Sequence, residues 1–301
     1  MFIAIKTEDG RIKGKISFYC RVLGITRQGF HNYLKTKDLP WKYQSLADAM
    51  IDISTEDECN DMYGRIRMHQ ALQLKQPKGV HIPSERTVYR VMNEIGISHR
   101  PKRKPNGITK ADKEARKSED LIKRDFKSDK PLKKCVTDMT EIKTMDGKLY
   151  VSAIVDCFDS TVLGLAMDTN MKATLCEKTL ENAYKAYPNI RGCILHSDRG
   201  TQYTSELYRN AIKRYGIQQS MNSSGGRCHD NARCESMWAR LKEELLYGRY
   251  DTSKMTILEI KTLIWRYYIS YWNNRRICST NGGLPPIIKR QQYYASLQDA
   301  A

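Results

Sequence analysis

The sequence lacks long hydrophobic runs, internal repeats, low-complexity tracts and any Cys-x-x-Cys pair. No window approaches 18 consecutive apolar residues, and acidic residues interrupt the apolar start of the sequence. We therefore expect neither a membrane span nor a signal peptide, and a protein that stays in the cytosol. The nine cysteines are odd in number and scattered, which favours reduced, mostly buried thiols over disulfides.

Acidic residues are also few relative to basic ones. Lys and Arg total 51 against 34 Asp and Glu, which gives a net charge of +17 over 301 residues. Because 40% of the residues are hydrophobic, the chain is too apolar for a disordered basic tail. We expect a folded protein of about two domains that attracts a polyanion, with nucleic acid favoured over an anionic membrane.

A first pair of helices is predicted between Ile16 and Lys35. Gly24 provides the turn, and Thr26 is a suitable N-cap for the second helix. The arrangement is typical of a helix-turn-helix unit, in which one helix enters the DNA major groove. The alternative is a helical hairpin that only packs against its neighbours.

A second pair of helices is predicted at Tyr63–Leu74 and Ser84–Ile95. In the latter, Ser84 is the expected N-cap, and apolar residues recur at i, i+3, i+4 and i+7, which places them on one stripe. Arg86 and Arg90 are left on the outer face, where we expect them to contact DNA.

A basic stretch with prolines follows from His99 to Pro105, and a helix would not continue through it. A solvated linker is the alternative, but so many cations beside a DNA-reading helix predict contacts with backbone phosphates. The residues predicted to make these contacts are Arg100, Lys102, Arg103 and Lys104.

Strands replace helices after Lys134. The pattern predicts three strands and then an alternation of helices and strands, in the order β-β-β-α-β-α-β-α. The Asp-Gly pair in Met145-Asp-Gly-Lys148 predicts a hairpin between the first two strands. The predicted segments are Cys135–Ile142, Leu149–Val155, Thr161–Met167, Ala173–Tyr187, Gly192–His196, Ser205–Tyr215, Ile217–Met221 and a helix from about Asp230. In the helix Ser205–Tyr215 we expect Leu207, Ala211 and Ile212 to face inward. The fold class is therefore α/β, a ribonuclease H-like mixed sheet flanked by helices.

Three acidic residues are candidate catalytic groups. Asp138 lies in the middle of a strand, where Asp is uncommon, and Asp198 follows the strand that ends at Leu195. Glu235 lies in the first turn of the helix after a glycine-rich loop. Any one of them alone is explained more simply by a turn or a helix cap, as we also expect for Asp156 and Asp159.

Together, the three carboxylates suit a metal site. Mg²⁺ prefers oxygen ligands, and three carboxylates are enough to hold two ions about 3.5–4 Å apart, as in phosphodiester displacement. Lys242 follows Glu235 by seven positions, which is about two helical turns, so both project from one helix face. We expect Lys242 to hold a phosphate beside the metal ions.

Three motifs resemble the catalytic core of DDE insertion-sequence transposases with a retroviral-integrase-like core. They are Cys135-Val-Thr-Asp138-Met-Thr-Glu-Ile, Leu195-His-Ser-Asp198-Arg-Gly-Thr-Gln-Tyr-Thr-Ser and Asp230-Asn-Ala-Arg-Cys-Glu235-Ser-Met-Trp-Ala-Arg-Leu-Lys242-Glu-Glu. The resemblance covers nearly the whole chain and is to the downstream, B-frame product of a two-frame element. One departure is the 36 residues between Asp198 and Glu235, where the family commonly has 35; we place the extra residue in the loop 223–226.

The resemblance implies Asp138, Asp198 and Glu235 as ligands of two Mg²⁺ ions, with Mn²⁺ as the alternative metal. It also implies binding of terminal inverted repeats, cleavage that frees a 3′-hydroxyl, and transfer of that end to target DNA. Implied partners are DNA, further copies of the chain and an upstream A-frame product, in a bacterial cytoplasm at the nucleoid. Arg199 and Asn231 are candidate DNA contacts beside the acids.

The expected segments are two helix-turn-helix regions (1–55 and 56–105), a basic linker (106–130), the catalytic core (131–247) and a helical C-terminal region (248–301). The last is rich in aromatic residues, which favours a helix packed on the core over a surface that stacks on bases. Two other functions remain open. One is a ribonuclease H-like nuclease without strand transfer, and the other is a helix-turn-helix regulator that needs no metal.

Overall fold

The computed structural model describes residues 16–97, 119–123, 125–222, 232–247 and 249–299. Five α-helices precede the sheet: α1 (Ile16–Val22), α2 (Arg27–Thr36), α3 (Gln44–Thr55), α4 (Arg65–Lys75) and α5 (Glu85–Glu94). The elements of the sheet and its helices are β1 (Lys134–Thr144), β2 (Gly147–Asp156), β3 (Val162–Asp168), α6 (Ala173–Ala186), β4 (Ile194–Ser197), α7 (Thr201–Thr204), α8 (Glu206–Arg214) and β5 (Gln218–Met221). The last helices are α9 (Ala232–Arg240), α10 (Ile257–Trp265) and α11 (Pro286–Asp299).

The five strands form one mixed sheet in the order β3-β2-β1-β4-β5. The first three strands pair antiparallel, whereas β4 pairs parallel with both β1 and β5. A two-residue turn joins β1 to β2 at the Asp-Gly signal, with Thr144 paired to Gly147. This topology confirms the ribonuclease H-like mixed sheet.

Helices cover both faces of the sheet. α6 and α8 pack on one face, where Leu180, Ala183 and Ala211 are buried. α9 and α10 pack on the other face, and the buried side chains there include Trp238 and Ile264. Because both faces are covered, the strands are apolar on both sides and β1, β2 and β3 are mostly buried.

The predicted inward face of α8 is wrong at one position. Ala211 and Ile212 are buried as expected, but Leu207 is 38% exposed and Tyr208 takes the inward place. The Ser205 side chain caps this helix by accepting from the Tyr208 N–H. Positions 208, 211 and 212 then follow the i, i+3, i+4 spacing of one helix face, which leaves Leu207 outside it.

Most of the C-terminal aromatic residues pack as predicted, but Trp265 is 53% and Tyr294 is 45% exposed. α9 and α10 each continue as a π-helical segment, Leu241–Leu246 and Arg266–Trp272. Tyr267, Tyr268 and Tyr271 in the second segment are fully buried in the same cluster as the sheet. These rings therefore stabilise the fold and are not available to stack on bases.

The N-terminal helices follow the sequence prediction closely. Thr26 caps α2 by accepting from the Gly29 N–H, and Gly24 takes the turn with φ +64°. Ser84 is the N-cap residue of α5, but its hydroxyl lies against Thr87 Oγ1 and does not cap the backbone. α3 was not anticipated from the sequence; its buried face joins α4 and α5 in a separate apolar cluster.

The eight cysteines among the described residues are all buried, as predicted, and none of these eight is in a disulfide. In the same part of the chain, no helix has the length and apolar character needed to cross a membrane.

We expect Gly164→Ala to destabilise the fold, because α6 crosses β3 in close contact at this position. A Cβ there would overlap the Thr179 carbonyl oxygen and lie 2.8 Å from the Ala183 Cβ. Overpacking of this kind costs about 1–3 kcal/mol, measurable as a lower urea midpoint. The control is Gly79→Ala, where a Cβ meets nothing within 4 Å and only the left-handed backbone opposes the change. A Gly164→Ala midpoint equal to that of the wild type would contradict the close approach.

Candidate active site

The parallel register of β1 and β4 brings two of the three predicted acids together. The last paired residues of these strands are Val136 and His196. Each acid lies two residues further along its strand direction, so Asp138 and Asp198 are level with each other, where β4 ends beside the middle of β1. The two carboxylates are half-buried there.

Asp138 is the electrostatic centre of the site. Burial, together with the nearby charges of Asp198 and Glu235, raises its pKa to about 7, against hydrogen bonds from the Met139 backbone N–H and the Trp238 ring. The Trp238 Nε1–H donates to Asp138 Oδ2 at 3.2 Å. The carboxylates therefore repel each other, as expected where a cation belongs between them.

Asp198 is held by the backbone of the turn after β4. Its Oδ1 accepts from the Gly200 N–H at 2.9 Å, and burial raises its pKa despite that bond. A Cβ at Gly200 would lie 3.0 Å from the same oxygen, so a residue without a side chain leaves room for this geometry. The carboxylate is thus oriented before any ligand binds.

Glu235 and Lys242 reach the site from α9 and its π-helical continuation. Glu235 is exposed in the first turn of α9, and its charge raises the pKa of Asp138. Lys242 is half-buried; burial lowers its pKa, whereas the charge of Asp138 acts in the opposite direction. The structure thus brings both residues into electrostatic range of Asp138.

A polar cluster supports the turn beside Asp198. The two ring nitrogens of buried His196 lie 2.8 Å from Ser220 Oγ and 2.8 Å from Asn222 Oδ1. Arg199 donates through Nε to the Asn222 carbonyl oxygen. Arg199 therefore ties the end of β4 to the end of β5, and its predicted DNA contact stays a prediction.

Two aromatic residues belong to the site although the sequence did not single them out for this role. Trp238 lies on the buried side of α9, yet its N–H binds Asp138. Tyr203 is buried, and burial together with Cys176, Asp138 and Asp198 holds the pKa of its phenol well above the usual range. The sequence offered one signal for this role of Trp238: it is an aromatic residue with a polar N–H, three positions after Glu235.

Asp156 and Asp159 have the structural role expected of them. Asp156 accepts from the backbone N–H groups of Leu132 and Phe158, and Asp159 accepts from that of Thr161. Both carboxylates also bind Arg290 from α11. They hold turns and the C-terminal helix, and take no part in the candidate site.

The other predicted DNA contacts lie away from the acids or outside the described residues. Arg86 and Arg90 are exposed on α5, as predicted, and Arg90 donates to the Tyr43 hydroxyl at 2.8 Å. Their contact with DNA stays a prediction. The remaining predicted contacts, which lie outside the described residues, are Arg100, Lys102, Arg103, Lys104 and Asn231.

The donor set suits a divalent cation, although its members are not gathered into a closed metal cage. In the described parts of the chain, no group of three or more His, Cys, Asp or Glu side chains is arranged to hold an ion. The chemistry nevertheless fits, because carboxylate oxygens are the preferred ligands of Mg²⁺, and burial together with the charges of Asp198 and Glu235 raises the pKa of Asp138.

We expect Asp138→Asn to stabilise the metal-free protein at pH 8. A carboxyl whose pKa is raised in the folded state binds more protons there than in the unfolded chain, so stability falls as pH rises from about 4 to about 7. At about 1.4 kcal/mol per pKa unit, the gain from removing the charge is at most about 4 kcal/mol. Thermal melts at pH 5 and pH 8 in EDTA test this. A variant that melts below the wild type at pH 8 would contradict the raised pKa.

A family model and several curated proteins match this chain. The family model, described as integrase core domain, matches residues 128–226, which include Asp138 and Asp198 but not Glu235. "Putative transposase InsK for insertion sequence element IS150" of Escherichia coli (strain K12) is 31% identical over 91% of this chain and 93% of its own length. "Transposase InsF for insertion sequence IS3A" of the same organism is 28% identical over 93% of this chain and 95% of its own length.

Solved structures show more distant similarity. The catalytic core domain of HTLV-2 integrase in complex with magnesium is 16% identical, with a TM-score of 0.37, and the match covers 55% of this chain and 99% of that one. A chain of the simian T-cell lymphotropic virus intasome, in complex with a PP2A regulatory subunit, is 14% identical with a TM-score of 0.43 over 71% of this chain and 70% of that one.

The identity to the IS150 relative extends over nearly the full length of both chains, and the integrase core match coincides with the sheet. DDE transposases are polynucleotidyl transferases that use a divalent metal ion. This chain belongs to the bacterial insertion-sequence transposases and is a DDE transposase with an integrase-like catalytic core.

Proposed function

We propose that this transposase binds the terminal inverted repeats of its own insertion element and cuts and joins DNA at Asp138, Asp198 and Glu235. The observation that carries the proposal is the parallel register that sets Asp138 beside Asp198, under the helix that bears Glu235. The raised pKa of Asp138 supports it, because burial beside other carboxylates, here Asp198 and Glu235, is typical of groups that share a cation.

In this proposal the three carboxylates hold two Mg²⁺ ions, and Mn²⁺ can replace them. When bound, the ions supply charge stabilisation for both the attacking and the leaving oxygen of the phosphodiester. The protein itself orients the groups: Gly200 holds the Asp198 carboxylate, and Trp238 holds that of Asp138. Lys242, beside Asp138, would neutralise a phosphate at the site.

The proposed reaction has two steps with different nucleophiles at one site. Water first attacks a phosphodiester at the element's end, and the strand is cut with a free 3′-hydroxyl. That hydroxyl then attacks a phosphodiester of the target DNA, forming the new bond as the target's own 3′-oxygen leaves. No covalent bond to the enzyme is needed, since positioning and charge stabilisation carry such displacements.

The proposed partners follow from this reaction. Two element ends must be held together, which calls for more than one copy of the chain, and an upstream A-frame product is a further candidate partner. Arg86, Arg90 and the basic stretch 99–105 would bind the DNA ends, with the helix-turn-helix regions predicted at 1–55 and 56–105. The protein would act on DNA in the bacterial cytoplasm, at the nucleoid.

The test is incubation of the purified chain with labelled DNA carrying the ends of its own element, with magnesium or with EDTA, followed by a denaturing gel. The proposal expects joined products only with magnesium. Nicks without joining would support a plain nuclease instead, and binding without cleavage, in both this chain and its fusion to the A-frame product, would support a regulator.

A further inference from the structure

A second basic site lies across α9 from the acids. It is a cavity of about 270 Å³ that opens to the surface between α9 and the loop after the second π-helical segment. Four arginines line it: Arg67, Arg233, Arg240 and Arg276. The rest of its wall combines hydroxyl groups, among them that of exposed Ser279, with apolar side chains such as those of Val155 and Trp272. We refer to this cavity, defined by the four arginines, as the arginine pocket.

Hydrogen bonds within the protein hold these arginines in place but do not use all of their N–H groups. Arg233 donates to Phe126 O at 3.3 Å and to Ser160 Oγ at 3.0 Å, and Arg276 uses Nε and Nη2 on Glu244. Since a guanidinium carries five N–H donors, each retains some for a ligand. The side chains are therefore positioned in advance.

Arg240 is the least committed of the four. Its closest acidic atom is Glu243 Oε2 at 3.7 Å, which is beyond hydrogen-bond distance, and it makes no hydrogen bond within the described ranges. About a third of its side chain is exposed. It can therefore turn its full donor set toward an incoming anion.

The pocket keeps a positive charge after its ion pairs are counted. Glu244 binds Arg67 and Arg276, and Glu243 lies near Arg240, so two glutamates face four arginines. The excess of two positive charges lies in a partly enclosed cavity, where screening by water and salt is reduced. A phosphate group, with several acceptor oxygens and negative charge, is the matching ligand.

The position on α9 points to DNA as the source of that phosphate. Arg233, Ser236 and Arg240 fall at i, i+3 and i+7, on a different side of the helix from Glu235 and Trp238, which serve the acids. The exposed side of α9 connects the two. A helix is about 10–12 Å wide, which a nucleic acid strand crosses in about three nucleotides at 3.4 Å each.

We propose that the arginine pocket binds one backbone phosphate of the DNA strand, about three nucleotides from the phosphodiester held at the acids. The proposal rests on the proposed function, because it takes the acids as the cleavage site. The pocket would fix the register of the strand over α9 without reading its sequence.

The test uses Arg240→Gln and Ser279→Glu in full-length protein with DNA carrying the element's ends. Removing one phosphate contact lowers the slope of log affinity against log salt by about 0.9. The ratio of the wild-type affinity for DNA to that of Arg240→Gln should therefore fall about threefold when the salt concentration rises from 50 to 200 mM. Ser279→Glu adds a negative charge at the pocket and should weaken binding as well. Arg214→Gln, an equal loss of charge on exposed α8, is the matched control.

Methylphosphonate substitution separates a DNA phosphate from a free phosphate ion. Single phosphates near the cleavage site are neutralised one at a time. At one position this should weaken DNA binding by the wild type but not by Arg240→Gln, because removing both partners of a contact costs no more than removing one of them. A salt slope for Arg240→Gln equal to that of the wild type, or no position whose effect depends on Arg240, would overturn the proposal. The wild type and Arg240→Gln could still differ in salt slope and in the methylphosphonate effect even if the wild type binds DNA but never cleaves it with magnesium. In that case the proposed function is wrong, but the arginine pocket is a phosphate site.

Discussion

Glu235→Gln is expected to abolish DNA cleavage and joining while leaving binding of the element's ends nearly unchanged. The substitution keeps the shape of the side chain but removes the charge that, in the proposed function, would help to hold a metal ion beside Asp138. Even the residues behind a metal ligand are worth about 10–100-fold in activity, so loss of a ligand should cost more than about a hundredfold. Because Glu235 is exposed at the start of α9, the fold should not suffer.

The matched control for this prediction is Glu206→Gln. Glu206 is also exposed in the first turn of a helix, α8, and the change removes the same charge and the same favourable contact with a helix N-terminus. Cleavage is measured on denaturing gels with magnesium, and end binding by gel shift in EDTA. Wild-type turnover by Glu235→Gln would refute its catalytic role, and an equal loss in Glu206→Gln would point to a general effect of charge.

Glu244→Gln is expected to destabilise the whole protein by about 3–5 kcal/mol at pH 7. Glu244 is buried in the π-helical continuation of α9 and accepts hydrogen bonds from Arg67 at 2.9 Å, Arg276 at 2.6 Å and Tyr267 at 2.9 Å. These partners come from α4 and from the segment after α10. Removing the one negative charge leaves two poorly hydrated arginines without a counter-charge. Breaking a buried ion pair by removing one partner is strongly destabilising for this reason.

The pH dependence of this effect has a definite sign. The arginines hold the pKa of Glu244 at about 2 in the folded state, below the ordinary 4.5. A depressed carboxyl pKa stabilises the fold above about pH 4.5, and this stabilisation is lost as pH falls through about 2. The difference between wild type and Glu244→Gln should therefore be full at pH 7 and shrink below pH 4.5.

Urea unfolding at pH 7 and pH 3 checks both statements. Glu243→Gln is the control, because Glu243 is only partly buried and lies 3.7 Å from Arg240, so its loss should cost at most about 1 kcal/mol. Equal urea midpoints for Glu244→Gln and Glu243→Gln at pH 7 would show that the buried ion pairs do not hold the N-terminal helices to the core.

The amino-acid sequence by itself determined the strands, most helices and the three acids of the candidate site. Those features depend on neighbours along the chain: runs of β-prone residues predicted β1 and β2, and the Asp-Gly pair predicted the hairpin between them. Local spacing also predicted α5 and its exposed arginines. It failed for α8, because periodicity alone could not choose between Leu207 and Tyr208 for the buried side.

Tertiary structure alone decided which distant groups meet. Trp238 binds Asp138 across 100 residues of sequence, and Arg67 binds Glu244 across 177. The arginine pocket joins residues of α4, α9 and the segment after α10 in the same way. Periodicity shows which side of a helix is apolar, but it carries no information about the partner of a polar side chain. That choice is made by packing, because a buried charge or N–H group is stable only where another element supplies its counterpart.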